Sequence, residues 1–285
     1  MDHAPTLRSY GVLSVATREG AASSVLSPAM HSVSSSGGVT FISGNFGIWR
    51  TPSWLTRSTF RNLGPICWFP MPGLGAPAET LLNTALRDLR CIEWSHVTAE
   101  LLQLPGPGDG SEYHLSRPVQ PDEVIDFFIS HSWHDDAAEK YRRLQEVAEM
   151  FRKKCGRHPV FWLDKACIDQ NRMDDCLKVL PINVMACSKV LVLVGNTYMH
   201  RLWCVWELFI LFAFTPEEEA LQRIVAMPLT KSEHLLQDLQ SFDISRSYCY
   251  DPNEEFRLRH VIGVVGADVF NIKIRSLAAK VRELI

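Results

Sequence analysis

The chain has 285 residues, 46% hydrophobic and 21% charged, with a formal net charge of −3. That composition fits one sizeable folded domain with extensions, and the near-neutral balance argues against nucleic acid as the main partner, which favours a basic stripe. No apolar run reaches the roughly eighteen residues that a membrane-spanning helix needs, so no transmembrane segment is expected.

Residues 1–78 read as a low-complexity, disordered extension. "SSVLSPAMHSVSSSGG" and "FPMPGLGAPAE" are rich in Ser, Gly and Pro and have no sustained hydrophobic period, so they bury too little surface to offset the entropy of ordering. Within them, 41–69 carries Phe41, Phe46, Trp49, Trp54, Phe60, Trp68 and Phe69, which predicts docking on the folded body or on a partner. Residues 79–118 read as a helical segment and a Pro/Gly linker: one or two helices over 79–104, then the breaker "PGPGDG".

From 119 to 230 strands and helices alternate. "VIDFFIS" (124–130), "PVFWLD" (159–164), "KVLVLVG" (189–195) and "RIVAMPL" (223–229) read as strands, short and nearly continuous in apolar residues, as strands buried on both faces are. A helix after the first strand places Tyr141, Leu144, Val147 and Phe151 on one stripe, and Gly156 suits its stop. Another carries Leu177, Leu180, Val184 and Cys187, kinked or restarted at Pro181. Residues 231–285 read as a C-terminal helical extension ending in an amphipathic helix capped by Asp268. Alternation of this kind predicts an α/β fold with a parallel sheet covered by helices on both faces.

Ligands of such sheets bind outside the carboxyl ends of the strands. Those ends deliver "HSWHDD" (131–136), "DKACIDQNR" (164–172) and "NTYMHRLWCVWE" (196–207), so Ser132, Trp133, Asp164, Asp169 and Glu207 are expected at one cleft. Glu207 is the sole polar residue among the thirteen from Leu202 to Phe214. An ionised carboxylate in apolar surroundings must be paired, be protonated, or face a polar cleft. A functional carboxylate and a structural ion pair with Arg201 or Arg172 both fit.

Two lesser readings are metal ligation by His131, His134, Asp135 and Asp136, and a cysteine nucleophile at Cys167 or Cys204 with His200 or His131. The eight cysteines include no C-x-x-C pair and no N-x-[ST] sequon occurs, as in a reduced, cytoplasmic protein.

"DFFISHSWHDD", "VFWLDKACIDQ" and "LKVLPINVMACSKVLVLVGNTYMHRLWCVWEL" together resemble the Toll/interleukin-1 receptor (TIR) domain family, over roughly residues 122–230. The S-H-S-W, C-I-D-Q and R-L-W-C-x-W-E-L motifs resemble a TIR-like subgroup of protists and algae. The resemblance implies a flavodoxin-like three-layer sandwich. Enzymatic TIR domains hydrolyse NAD to nicotinamide and an ADP-ribose product, in signalling and defence. Their catalytic glutamate falls on Glu207, the acidic residue of the loop after strand two on Asp169, and the cleft-lining residues after strand one on His131 and Ser132. NAD is then the substrate, with no other cofactor implied, and Trp133 or Trp203, the latter beside Cys204, is placed to stack on one of its rings. Several NAD-cleaving members carry an arginine in the first loop, and "SHSWHDD" has none. The alternative the family offers is a non-enzymatic scaffold acting by self-association or by binding other TIR domains.

Overall fold

A computed structural model of the chain describes residues 78–103, 111–169, 172, 178–230 and 233–282. The expectations for 1–77, including the aromatic stretch 41–69, fall outside the described residues, as does the breaker at 105–110.

Six strands form one sheet in the order β2-β1-β4-β3-β5-β6. In chain order they are β1 (Arg90–Glu93), β2 (Ser116–Pro118), β3 (Ile125–His131), β4 (Val160–Trp162), β5 (Cys187–Val194) and β6 (Ile224–Pro228). β3 pairs in parallel with β4 and β5, and β5 in parallel with β6. β1 runs antiparallel to both β2 and β4, so the sheet is mostly parallel with an antiparallel edge. All seven residues of β3 are buried, as its central place requires. In register across β3 and β4, the Phe128 and Trp162 rings stack 4.5 Å apart.

Nine α-helices occur among the described residues: α1 (Ala78–Asp88), α2 (Ala137–Cys155), α3 (Asp164–Cys167), α4 (Leu180–Ala186), α5 (Leu202–Phe214), α6 (Glu217–Arg223), α7 (Glu233–Gln240), α8 (Pro252–Val265) and α9 (Ala267–Arg282). α2 starts where the Asp136 side chain accepts from the Glu139 amide, and it stops at Gly156 with φ of 73°, a left-handed conformation that glycine adopts without strain. α4 has Pro181 in its first turn, where the missing N–H costs nothing. No helix among the described residues is long and apolar enough to cross a membrane.

The structure departs from the sequence reading at 79–104. The helix there ends at Asp88, and Arg90–Glu93 is a strand instead. Cys91 and Ile92 are fully buried within it, so tertiary burial overrides the local helical pattern. Residues 90–93 and 116–118 therefore belong to the same sheet as the strands after 119.

Candidate functional site

β3, β4 and β5 end on one side of the sheet, and α5 packs against β3 there. The α5 sequence is so apolar that its residues are buried nearly all round, and Glu207 is half-buried. The amino end of α5 is held by a strap from the C-terminal region. The Leu202 amide donates to the Tyr248 carbonyl at 3.0 Å, and the Tyr248 amide donates to the His200 carbonyl at 2.9 Å. The first contact takes up a backbone N–H that a helix start leaves unpaired.

Glu207 faces β3. The Ser130 hydroxyl donates to Glu207 Oε2, and Ser130 Oγ lies 2.5 Å from the Tyr198 hydroxyl. Tyr198 donates at 3.3 Å to the Cys204 carbonyl, and the Cys204 thiol to the His131 carbonyl at 3.2 Å. Burial raises the Glu207 carboxyl well above the ordinary range; the Ser130 hydrogen bond pulls it down and the Asp164 charge pushes it up. Neither Arg201 nor Arg172 bonds to it; Arg172 forms an ion pair with Asp88 at 3.4 Å.

Asp164 forms the second half of the site. Its carboxylate accepts from Trp133 Nε1 at 3.1 Å and from the Lys165 amide at 2.7 Å, and 35% of its side chain stays accessible. Despite that opening, burial pushes its carboxyl to about 6, against the pull of the Lys165 amide and Trp133. His131 Nε2 stands 4.0 Å from Asp164 Oδ1. Burial first, and the Lys140 ammonium second, drive the His131 imidazole down to about 3. Lys140 is itself fully buried. It donates to the Ser132 carbonyl at 3.0 Å and meets His131 Nδ1 at 3.4 Å, and burial lowers it to about 8.

The predicted residues thus divide. Glu207, Cys204, His131, Trp133 and Asp164 come together. Ser132 lies beside them with its Oγ 2.7 Å from the Thr197 hydroxyl, which in turn stands 2.9 Å from Asp135 Oδ1. A Cβ on Gly195 would fall 2.3 Å from Asp135 Cγ, so only glycine permits that approach. Trp203 turns instead toward the C-terminal helices, its Nε1 donating to Glu254 at 2.9 Å. Asp169 is half-buried beyond α3, where its carbonyl accepts from the Arg172 amide at 2.9 Å, and it takes no part in the group around Glu207.

Nor is Trp133 a free stacking plate. Its ring meets the His131 ring edge-on at 4.3 Å, with Lys140 Nζ at 5.6 Å and Lys165 Nζ at 5.8 Å. These lysines bring positive charge to a loop that has no arginine. Sequence reasoning missed Ser130, Tyr198 and Lys140. The one available signal was spacing, because Lys140 lies one turn before Leu144 on the buried stripe.

Among the described residues no group of three or more His, Cys, Asp and Glu side chains is arranged to hold a metal ion. The Cys167 and Cys204 thiols are pushed far up by burial, the opposite of what a nucleophile needs. A cleft of about 620 Å³ opens at the other end of the sheet, lined among others by Asp122, Asp126, Phe151, Arg157 and His158. Comparison with known protein families, curated proteins and solved structures finds no match to this chain.

Proposed function

We propose that the chain is a TIR-like NAD nucleosidase that cleaves the bond between nicotinamide and ribose, with Glu207 as its catalytic carboxylate. The sheet supports the architectural part of this reading. Numbered among themselves, the four parallel strands lie in the spatial order second, first, third, fourth, which is the order of flavodoxin-like folds.

The observation that carries the activity is the Glu207 carboxyl at the carboxyl ends of those strands, bonded by Ser130 and, among the described residues, by no cation. Nicotinamide bonded to ribose is already cationic and leaves neutral, so the reaction needs no acid for the leaving group. It needs negative charge beside an oxocarbenium-like ribose and an acceptor for the sugar hydroxyls, whereas ordinary glycosidases need two carboxyl groups. In an apolar pocket one carboxylate meets both needs. A carboxyl held up by burial releases its proton to solvent when the cationic ring binds beside it, because an opposite charge favours the charged form.

The test is NAD consumption by the full chain at high protein concentration, wild type against Glu207→Gln. The variant is expected to lose about 10²-fold or more while unfolding at nearly the same temperature. Equal consumption by both, or none by either, overturns the reading.

One observation favours a second reading, a non-enzymatic module that associates with itself or with other TIR domains. The open cleft lies at the far end of the sheet, and Ser130, Tyr198 and Cys204 around Glu207 are buried.

A further inference from the structure

His131 has one ring nitrogen with a partner and one without. Nδ1 meets Lys140 Nζ at 3.4 Å. An ammonium has only donors, and Lys140 also occupies the Ser132 carbonyl that stands by the ring, so Nδ1 is assigned as the acceptor and the ring proton to Nε2. That N–H is buried, with no hydrogen-bond partner among the described residues, on a side chain 1% accessible. An orphaned buried donor costs about 1–3 kcal/mol, so something is expected to fill the place.

Opposite it, at 4.0 Å, stands Asp164 Oδ1, a carboxylate oxygen on a side chain that is one-third open. The gap is too long for a direct hydrogen bond, yet two bonds of ordinary length meeting near a right angle span it. The group between must accept from Nε2–H and donate to a carboxylate oxygen. A hydroxyl does both with one atom. An amide N–H or a carbonyl does one, and a phosphate oxygen is repelled by Asp164.

We propose that the space between His131 Nε2 and Asp164 Oδ1 is the seat of a ligand sugar hydroxyl, with Lys140 as the positioning residue that fixes His131 as donor. Resting on the nucleosidase reading, it makes that hydroxyl one of a ribose of NAD. The role of Lys140 explains why a cation is kept wholly inside the fold with no carboxylate among the described residues bonded to it. It donates to the Ser132 carbonyl and to the imidazole, and so determines which nitrogen faces the ligand.

The experiment measures NAD binding by the full chain in a Glu207→Gln background, where the nucleotide is not consumed. It compares His131→Phe, which removes the donor, with His131→Gln, whose amide nitrogen reaches nearly the position of Nε2. The expected result is Kd raised about tenfold or more in His131→Phe, the effect of one lost hydrogen bond, and within about threefold of the parent in His131→Gln.

Nitrogen-15 spectra of the histidine-labelled protein at neutral pH are expected to place the His131 proton on Nε2, and on a mixture of both nitrogens in Lys140→Met. Unchanged binding in His131→Phe overturns the proposal, marking a water site, and so does a proton on Nδ1 in the parent. Equal hydrolysis by wild type and Glu207→Gln, or none by either, with the His131 pattern intact, sinks the nucleosidase reading alone. Absence of NAD binding in every form overturns the ribose assignment.

Discussion

Lys140 and His131 carry the electrostatics of the site, and one of them sets its acid stability. The His131 imidazole titrates at about 3 in the fold against an ordinary 6.5. Between those values the unfolded chain holds a proton that the folded chain does not, so folding weakens as pH falls through that window. The slope of one such group is about 1.4 kcal/mol per pH unit. Asp164 works the other way: raised from 3.8 to about 6, it adds stability at low pH that is lost as pH rises through about 6. Urea unfolding at pH 6 and pH 4 separates the two. His131→Gln is expected to lose markedly less stability over that interval than wild type, and an equal loss in both shows that His131 is not held neutral by the fold. Glu207 and Asp164 were legible as candidates because a lone acid inside an apolar run, and one closing a strand, stand out. Ser130 and Tyr198 were not, because a serine within a strand and a tyrosine in a turn acquire meaning only from the register that puts them against α5.

At the scale of elements, the parallel strands were readable from their apolar runs and α2 from its stripe and its glycine stop. β1 was not. A four-residue strand whose two buried residues are adjacent, one on each face of the sheet, gives no period of its own, and its pairing with β4 is decided by burial. The C-terminal elements prove to be part of the frame around Glu207. The Ser247 hydroxyl donates to the Met199 carbonyl at 2.7 Å, and Arg259 donates to the Ile244 carbonyl at 3.1 Å. Phe270 of α9 is buried edge-on against Phe209 of α5, ring centroids 5.1 Å apart. Phe270→Ala is expected to cost about 3–5 kcal/mol by the cavity it leaves, read as a lowered urea midpoint. A cost below about 1 kcal/mol means that the C-terminal helices do not hold α5.

Across the whole molecule, the two ends of the sheet have separate chemistry. At the amino end the Asp126 carboxylate accepts two bonds from Arg157, at 2.7 and 2.9 Å, and one from the Val160 amide at 2.8 Å. Asp126 is buried and about half of the Arg157 side chain is exposed. Removing the arginine leaves a buried acceptor short of partners, so Arg157→Ala is expected to destabilise by about 1–3 kcal/mol. With the length of the strands between them, NAD consumption by the folded variant is expected, on the proposed reading, to equal that of wild type. A matched fall in activity at a temperature where the variant remains folded overturns the independence of the two ends.

The strap that pairs Tyr248 with the start of α5 has a consequence for synthesis. A ribosome makes Glu207 well before it makes Tyr248, Glu254 and Phe270, so a nascent chain carries its carboxylate for a time without the frame that orients it. The site becomes complete only with the late C-terminal segments, and a message broken between the two yields the acid without its setting.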